Sequence, residues 1–136
     1  MKHLIDSDVV VEYLRARPST LTLIQALNPS GLAVSLITYG EVYEGIYFGH
    51  NPPAQEQAFV DFLAGVTILP LDEPIMRQYA RLRGQLRRAG TLIGDADTLI
   101  AATALYHNLT LVTGNVQHFN RVPGLVLLAS PGSPAA

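Results

Sequence analysis

An α/β domain with a mainly parallel, five-stranded sheet flanked by helices on both faces is the fold class this sequence predicts. Three features carry that reading. Short apolar segments alternate with helical patterns along the chain, and those segments are apolar throughout, as strands covered on both faces are. The 136 residues, 49% hydrophobic and 15% charged, contain no repeat and no linker that would divide them. One domain is therefore expected over residues 1–129, followed by a flexible tail over 130–136, Ser-Pro-Gly-Ser-Pro-Ala-Ala.

Lys2 to Asp6 reads as the first strand, its apolar centre Leu4-Ile5 running into Asp6-Ser7-Asp8 and an apolar-rich helix to about Arg17. Asp6 or Ser7 is placed to cap that helix. Pro18 separates it from a helix over Thr20 to Leu27, which Asn28-Pro29-Ser30-Gly31 ends. Leu32 to Ser35 is the second strand. Thr38-Tyr39-Gly40-Glu41 has capping-box spacing, which predicts Glu41 at the third position of a helix running to Phe48. After Asn51-Pro52-Pro53, a helix over Ala54 to Leu63 precedes a third strand, Val66 to Pro70.

Asp72-Glu73-Pro74 opens the longest helix, which runs to Ala89 with Gly90 as its stop. At about 100° per residue, Ile75, Tyr79, Leu82, Leu86 and Ala89 share its apolar face, and Arg77, Arg81 and Arg88 lie opposite. The helix from Asp95 to about His107 is too apolar to face water: Leu99, Ile100, Ala101, Ala102, Ala104 and Leu105 leave it almost no polar side. Leu109 to Thr113 is the fourth strand, Val116 to Phe119 at most one helical turn, and Leu125 to Leu128 the fifth strand.

A chain of this size buries roughly two-thirds of its surface, so folding requires neither metal nor disulfide. Cysteine is absent, which excludes disulfides, thiolate nucleophiles and Cys-based zinc sites and fits the cytoplasm. No apolar run has the length of a membrane span, and Asp6 comes too soon for a signal peptide. The net charge of −2 makes the whole molecule no magnet for nucleic acid, but five of the nine basic residues, Arg77, Arg81, Arg83, Arg87 and Arg88, fall in one segment.

Right-handed crossovers bring the strand-to-helix junctions of such a sheet to one edge. Asp6, Glu41 and Asn115 belong there. So do Asp95 and Asp97, because their helix must end where the fourth strand begins; Gly90 to Gly94 is too short to cross the domain, so the Arg-rich helix is expected to run obliquely. Crowded carboxylates raise one another's pKa, and a divalent cation removes that cost. All-oxygen donors point to a hard ion, Mg²⁺ or Mn²⁺, rather than zinc.

Four segments, Leu4-Ile5-Asp6-Ser7-Asp8-Val9-Val10, Ser35-Leu36-Ile37-Thr38-Tyr39-Gly40-Glu41, Ile93-Gly94-Asp95-Ala96-Asp97-Thr98-Leu99-Ile100-Ala101-Ala102 and Leu111-Val112-Thr113-Gly114-Asn115 with His118-Phe119, resemble PIN-domain ribonucleases, and more narrowly the VapC-type toxins of toxin-antitoxin pairs. The resemblance covers nearly the whole chain in order. It implies a PIN-like three-layer sandwich and a Mg²⁺- or Mn²⁺-dependent endoribonuclease leaving 5′-phosphate and 3′-hydroxyl ends. It also implies a homodimer held silent by a cognate antitoxin. Asp6, Glu41 and Asp97 match the family's metal-binding acids, and Asn115 stands where relatives carry Asp or Asn. Asp95 occupies a more variable position, as an auxiliary ligand or, by its place at the helix start, as the N-cap.

Each of these residues also has a plain structural reading. Asp6 and Asp95 serve as caps, Glu41 completes a capping box, Asp8 is a first-turn charge, Glu44 is solvated, Thr113 satisfies a turn and His118 packs at the surface. Arg77, Arg81 and Arg88 either contact RNA phosphates or an acidic antitoxin segment, or form a solvated face; Arg83 and Arg87 are read as solvated. Tyr39, Tyr43 and Tyr47 recur every four residues, either in the core or lining a dimer or antitoxin groove. Two rival functions remain. Asp6-Ser7-Asp8 also resembles the nucleophile loop of haloacid-dehalogenase-like phosphohydrolases, but those enzymes need a downstream Lys and this chain has none after Lys2. The other is a non-catalytic RNA-binding module, against which the intact acidic set argues.

Overall fold

The computed structural model describes residues 1–131 and contains five parallel strands in the order β3-β2-β1-β4-β5. The elements in chain order are β1 (His3–Ile5), α1 (Ser7–Leu14), α2 (Pro18–Leu27), β2 (Leu32–Ser35), α3 (Leu36–Tyr47), α4 (Pro52–Leu63), β3 (Val66–Leu69), α5 (Glu73–Ala89), α6 (Asp95–His107), β4 (Thr110–Thr113), α7 (Val116–Phe119) and β5 (Leu127–Ala129). Every pairing is parallel, with Leu4 beside Ala33 on one side and Leu111 on the other.

The two-residue period of a strand sends neighbouring side chains into opposite layers. Leu4, Ala33 and Leu111 face a core shared with Leu82 and Leu86 of α5, Ile100, Ala101 and Ala104 of α6, and Phe119. Ile5, Val34 and Val112 face the other core, with Val9, Val10, Ile24, Val42, Ile46, Phe59 and Phe62 from α1 to α4. Strands buried on both sides need apolar residues in succession, which is why β1, β2 and β4 read as unbroken apolar runs. Each of the large aliphatic side chains so buried contributes about 1.5–3 kcal/mol.

Helix α6 lies in that first core with Thr98 and Thr103 fully buried. Each hydroxyl donates back to a carbonyl four residues earlier, Gly94 and Leu99, both at 2.8 Å, so the helix enters the core with its polar side chains satisfied. Helices α5 and α6 form the most extensive helix pair. The Asp72 carboxylate caps α5 by accepting from Ile75 N–H at 3.2 Å, and Gly90, at φ +70°, closes it in the left-handed conformation that favours glycine.

Several boundaries differ from the sequence reading. Helix α1 stops at Leu14 rather than Arg17, because Ala16 takes φ +57° and turns the chain before Pro18 begins α2. Strand β5 lies two residues later than expected at its start, and Ser130 N–H still donates to Thr113 O at 2.9 Å, so the segment read as a tail begins with a sheet hydrogen bond. Residues 132–136, the remainder of that tail, lie outside the described residues. Among the described residues no helix is long and apolar enough to cross a membrane.

Candidate active site

In this strand order the chain reverses direction across the sheet between β1 and β4, and ligands of open α/β sheets lie beyond the carboxyl ends of the strands at that switch point. Asp6 directly follows β1, and Thr113 ends β4. Asp6 is 5% exposed and accepts two hydrogen bonds, from Ser7 N–H to Oδ1 at 2.8 Å and from the Thr113 hydroxyl to Oδ2 at 2.7 Å. The same Thr113 hydroxyl accepts from Asn115 N–H at 2.9 Å. One buried hydroxyl therefore ties the ends of both central strands together.

Asp8, in the first turn of α1, reaches across to the same junction and accepts Gly114 N–H at 3.0 Å. A side chain on Gly114 would put its Cβ 2.6 Å from that Asp8 oxygen, so the contact requires glycine. Burial raises the Asp6 carboxyl from 3.8 to about 7, with the Asp8 charge adding to the shift. The hydrogen bonds from Thr113 and Ser7 oppose it, and Asp97 raises it further. The Asp8 carboxyl is also raised, first by desolvation, against hydrogen bonds with Asp6 and Gly114 N–H.

Glu41 reaches the site by a route the spacing did not predict. Ser35, not Thr38, caps α3, accepting Ile37 N–H at 3.3 Å, so Glu41 lies in the second turn and is no part of a capping box. Its Oε1 instead accepts the Ser7 hydroxyl at 2.6 Å, and Ser7 Oγ lies 3.0 Å from the Thr38 hydroxyl. Ser7, bonded to Asp6 through its N–H and to Glu41 through its hydroxyl, thus links the two acids across the gap between α1 and α3. Asp97, in the first turn of α6, places Oδ2 3.5 Å from His118 Nδ1, and Asn115 Nδ2 lies 2.8 Å from that same nitrogen. The Asn115 amide nitrogen can only donate, so Nδ1 is the acceptor in that contact.

Asp95 departs from the expectation of an N-cap. Gly94 occupies that position, its carbonyl accepting Thr98 N–H at 2.9 Å, and Asp95 is the first helical residue. Its carboxylate turns to α5, 3.2 Å from Arg83 Nε and 3.5 Å from the Tyr79 hydroxyl. Two residues apart on a helix, Asp95 and Asp97 point about 200° apart, which divides them between α5 and the Asp6 cleft. Arg83, read as solvated, is half-buried and paired for the same reason. Arg77 lies 3.8 Å from Glu73, Arg81 bonds Gln78 at 3.0 Å and Arg88 is exposed; none of the three enters the acidic cleft. Tyr39 and Tyr43 pack against Phe59 of α4, with Tyr47 against Tyr43.

Among the described residues, no three His, Asp or Glu side chains stand close enough together to hold a metal ion as they are placed here. The candidate donors Asp6, Glu41 and Asp97 offer only oxygen, and Asp6 is a buried carboxyl whose charge its neighbours Asp8 and Asp97 disfavour. That chemistry suits a hard divalent cation which keeps several of its waters. The sequence offered Ser7 only as a candidate helix cap, gave Gly114 no role and left Thr113 as a turn residue. Their roles depend on partners 34, 106 and 107 residues away, a separation that carries no local pattern.

Residues 3–125 match the family model described as PIN domain. Ribonuclease VapC2 of Haemophilus influenzae is 30% identical over 125 residues, covering 92% of this chain and 95% of its own. Ribonuclease VapC1 of Methanocaldococcus jannaschii is 35% identical over 121 residues, covering 89% and 81%. The structure of VapBC2 from Rickettsia felis bound to a DNA fragment from their promoter aligns with a TM-score of 0.89 at 26% identity, over 96% of this chain and 99% of that one. With that match running from β1 past β4, and with Asp6 and Asn115 at the switch point between those strands, the chain belongs to the PIN-domain family.

Proposed function

We propose that this chain is the ribonuclease toxin of a toxin-antitoxin pair, a divalent-metal-dependent endoribonuclease acting in the cytoplasm on RNA phosphodiester bonds. The observation that carries the reading is the buried, acid-flanked Asp6 at the β1–β4 switch point, reached by Asp97 from α6 and joined through Ser7 to Glu41. The names of the two relatives described above, both ribonucleases, support the activity. A similar solved structure, a toxin-antitoxin complex from Klebsiella pneumoniae, supports a cognate antitoxin as partner.

In this reading residues 1–129 act as one domain, functioning as a homodimer, and Asp6, Glu41 and Asp97 hold Mg²⁺ or Mn²⁺. Asp95 joins as an auxiliary ligand only by leaving Arg83. The bound ion supplies an activated water and offsets charge on the phosphodiester. The protein's own part is positional. Thr113 fixes the Asp6 rotamer, Ser7 holds Glu41 turned into the cleft, and His118, accepting from the Asn115 amide, fixes the Asn115 side chain beside Asp97. Arg77, Arg81 and Arg88 supply exposed charge for RNA or antitoxin.

The test is cleavage of cellular RNA with mapped product ends, by wild type and Asp97→Asn, in Mg²⁺, Mn²⁺ and EDTA. The expected result is metal-dependent internal cleavage leaving 5′-phosphates and lost in Asp97→Asn. Cleavage that continues in EDTA, or unchanged in the variant, overturns the mechanism.

A further inference from the structure

The charge of this molecule is segregated. Five arginines against Glu73 alone leave α5 at +4, and the chain's net −2 puts −6 on everything else. The acidic cleft repels a polyanion, so a polyanionic substrate needs a holding surface nearby. Arg83 and Arg87, one helical turn apart, line a shallow cleft of about 340 Å³ with Tyr79, Ala80, Gly84 and Asp95. Arg81 and Arg88 line a second depression on the other side of Ala80 and Gly84.

Gly84 is out of place for folding alone. It lies in the interior of α5 on its exposed face, where glycine weakens the helix relative to alanine, and an added Cβ meets nothing within 4 Å. Packing within the chain therefore does not ask for glycine. What Gly84 does is lower the helix surface between the two arginine rows, opening the backbone to close approach. Among the described residues no carboxylate pairs with Arg87, and the Asp95 partner of Arg83 is 72% exposed, an ion pair weak enough to exchange. Asp95 and Asp97 share the first turn of α6 but point to opposite sides of it, so the width of one helix separates this cleft from the candidate catalytic centre.

We propose that the cleft formed by Tyr79, Arg83, Gly84 and Arg87 binds the sugar-phosphate backbone of the RNA strand next to the scissile linkage, with Arg83 exchanging Asp95 for a phosphate. This deepens the ribonuclease reading and rests on it. Arginine suits phosphate through its planar fork, and the half-buried Tyr79 ring offers a face for a base. Asp95 then competes with RNA for Arg83.

The experiment measures binding of a fluorescent single-stranded RNA of about 12 nucleotides by anisotropy, in EDTA and across a salt series. Arg87→Ala is expected to weaken binding several-fold and to lower the slope of log K against log salt by about 0.7 for each phosphate the protein no longer neutralises. Asp95→Asn is expected to tighten binding, because it frees Arg83; a ligand role for Asp95 predicts no change without metal. Circular dichroism confirms that each variant is folded. Affinity and salt slope unchanged in both variants overturn the proposal, as does loss of antitoxin affinity alone, which makes the cleft a protein interface. Wild-type cleavage in Mn²⁺, abolished by Asp97→Asn, is measured alongside: if it holds while the binding results fail, the cleft falls and the ribonuclease reading stands.

Discussion

The Thr113 hydroxyl donates to Asp6 at 2.7 Å while accepting the N–H of Asn115, so a single buried side chain joins the carboxyl ends of β1 and β4. Thr113→Val keeps the shape and removes both hydrogen bonds. It leaves the buried Asp6 oxygen and the Asn115 N–H without that partner. The expected cost is about 1–3 kcal/mol, read from chemical denaturation, with a further rise in the Asp6 pKa because an opposing hydrogen bond is gone. Thr113→Ser is expected to restore most of both. Wild-type stability in the Val variant would show that the hydroxyl is not the tie between the strands.

The raised Asp6 carboxyl has a definite sign in pH. With its pKa moved from 3.8 to about 7 by burial and by Asp8, the folded metal-free protein holds a proton that the unfolded chain has released. Its stabilising contribution is present below about pH 4 and is lost as pH rises through about 7. Melting of wild type against Asp6→Asn, in EDTA, isolates this contribution, and the difference is expected to decline across that window. Mn²⁺ should reverse the trend, its affinity rising with pH to about 7 as Asp6 ionises. A difference that is flat from pH 4 to 8 would remove Asp6 as the titrating group.

Gly114 is held to glycine by the site rather than by the turn. Gly114→Ala would place a methyl carbon 2.6 Å from Asp8 Oδ2 and 3.3 Å from Ser130 Oγ. Asp8 must swing out, and its tie to Gly114 N–H breaks. The expected result is a stability loss of about 1–3 kcal/mol, the usual cost of overpacking, together with weaker Mn²⁺ binding because the Asp8 charge no longer faces Asp6. Isothermal titration at pH 7 measures the second effect; Mn²⁺ affinity equal to wild type would place Asp8 outside the electrostatics of the site.

The fold and the placement of the candidate acids were legible for a common reason: both follow from rules that act over a few residues or over the sheet as a whole. Unbroken apolar runs at Leu4-Ile5, Ala33-Val34 and Leu111-Val112 mark strands buried on two faces, and right-handed crossovers then send Asp6, Glu41 and Asn115 to one edge. Where the reading failed, two local signals competed. Thr38 has capping-box spacing to Glu41, yet Ser35 caps α3 directly before Leu36, which leaves Glu41 in the second turn with the Ser7 hydroxyl as its partner. Asp95 has the residue type of a cap, yet Arg83, twelve positions earlier, holds it as an ion-pair partner. No pattern within a helix reports such a partner, because the Gly90–Gly94 connection sets how α5 meets α6.

Ser7 supplies the last prediction, since it connects two acids without itself carrying charge. Its hydroxyl donates to Glu41 at 2.6 Å, and Glu41 is exposed, so without that bond the long side chain samples several rotamers. Ser7→Ala should therefore leave folding nearly intact, because the backbone N–H that Asp6 accepts is unchanged. It should lower kcat more than it raises KM for RNA, by roughly tenfold, the scale expected when a ligand's supporting hydrogen bond is removed. Saturating Mn²⁺ should recover part of the loss, whereas Glu41→Gln should recover none, because the carboxylate charge itself is gone. Steady-state kinetics across a Mn²⁺ series distinguish the two, and equal Mn²⁺ dependence in wild type and Ser7→Ala would mean that Glu41 is held in the cleft by something other than Ser7.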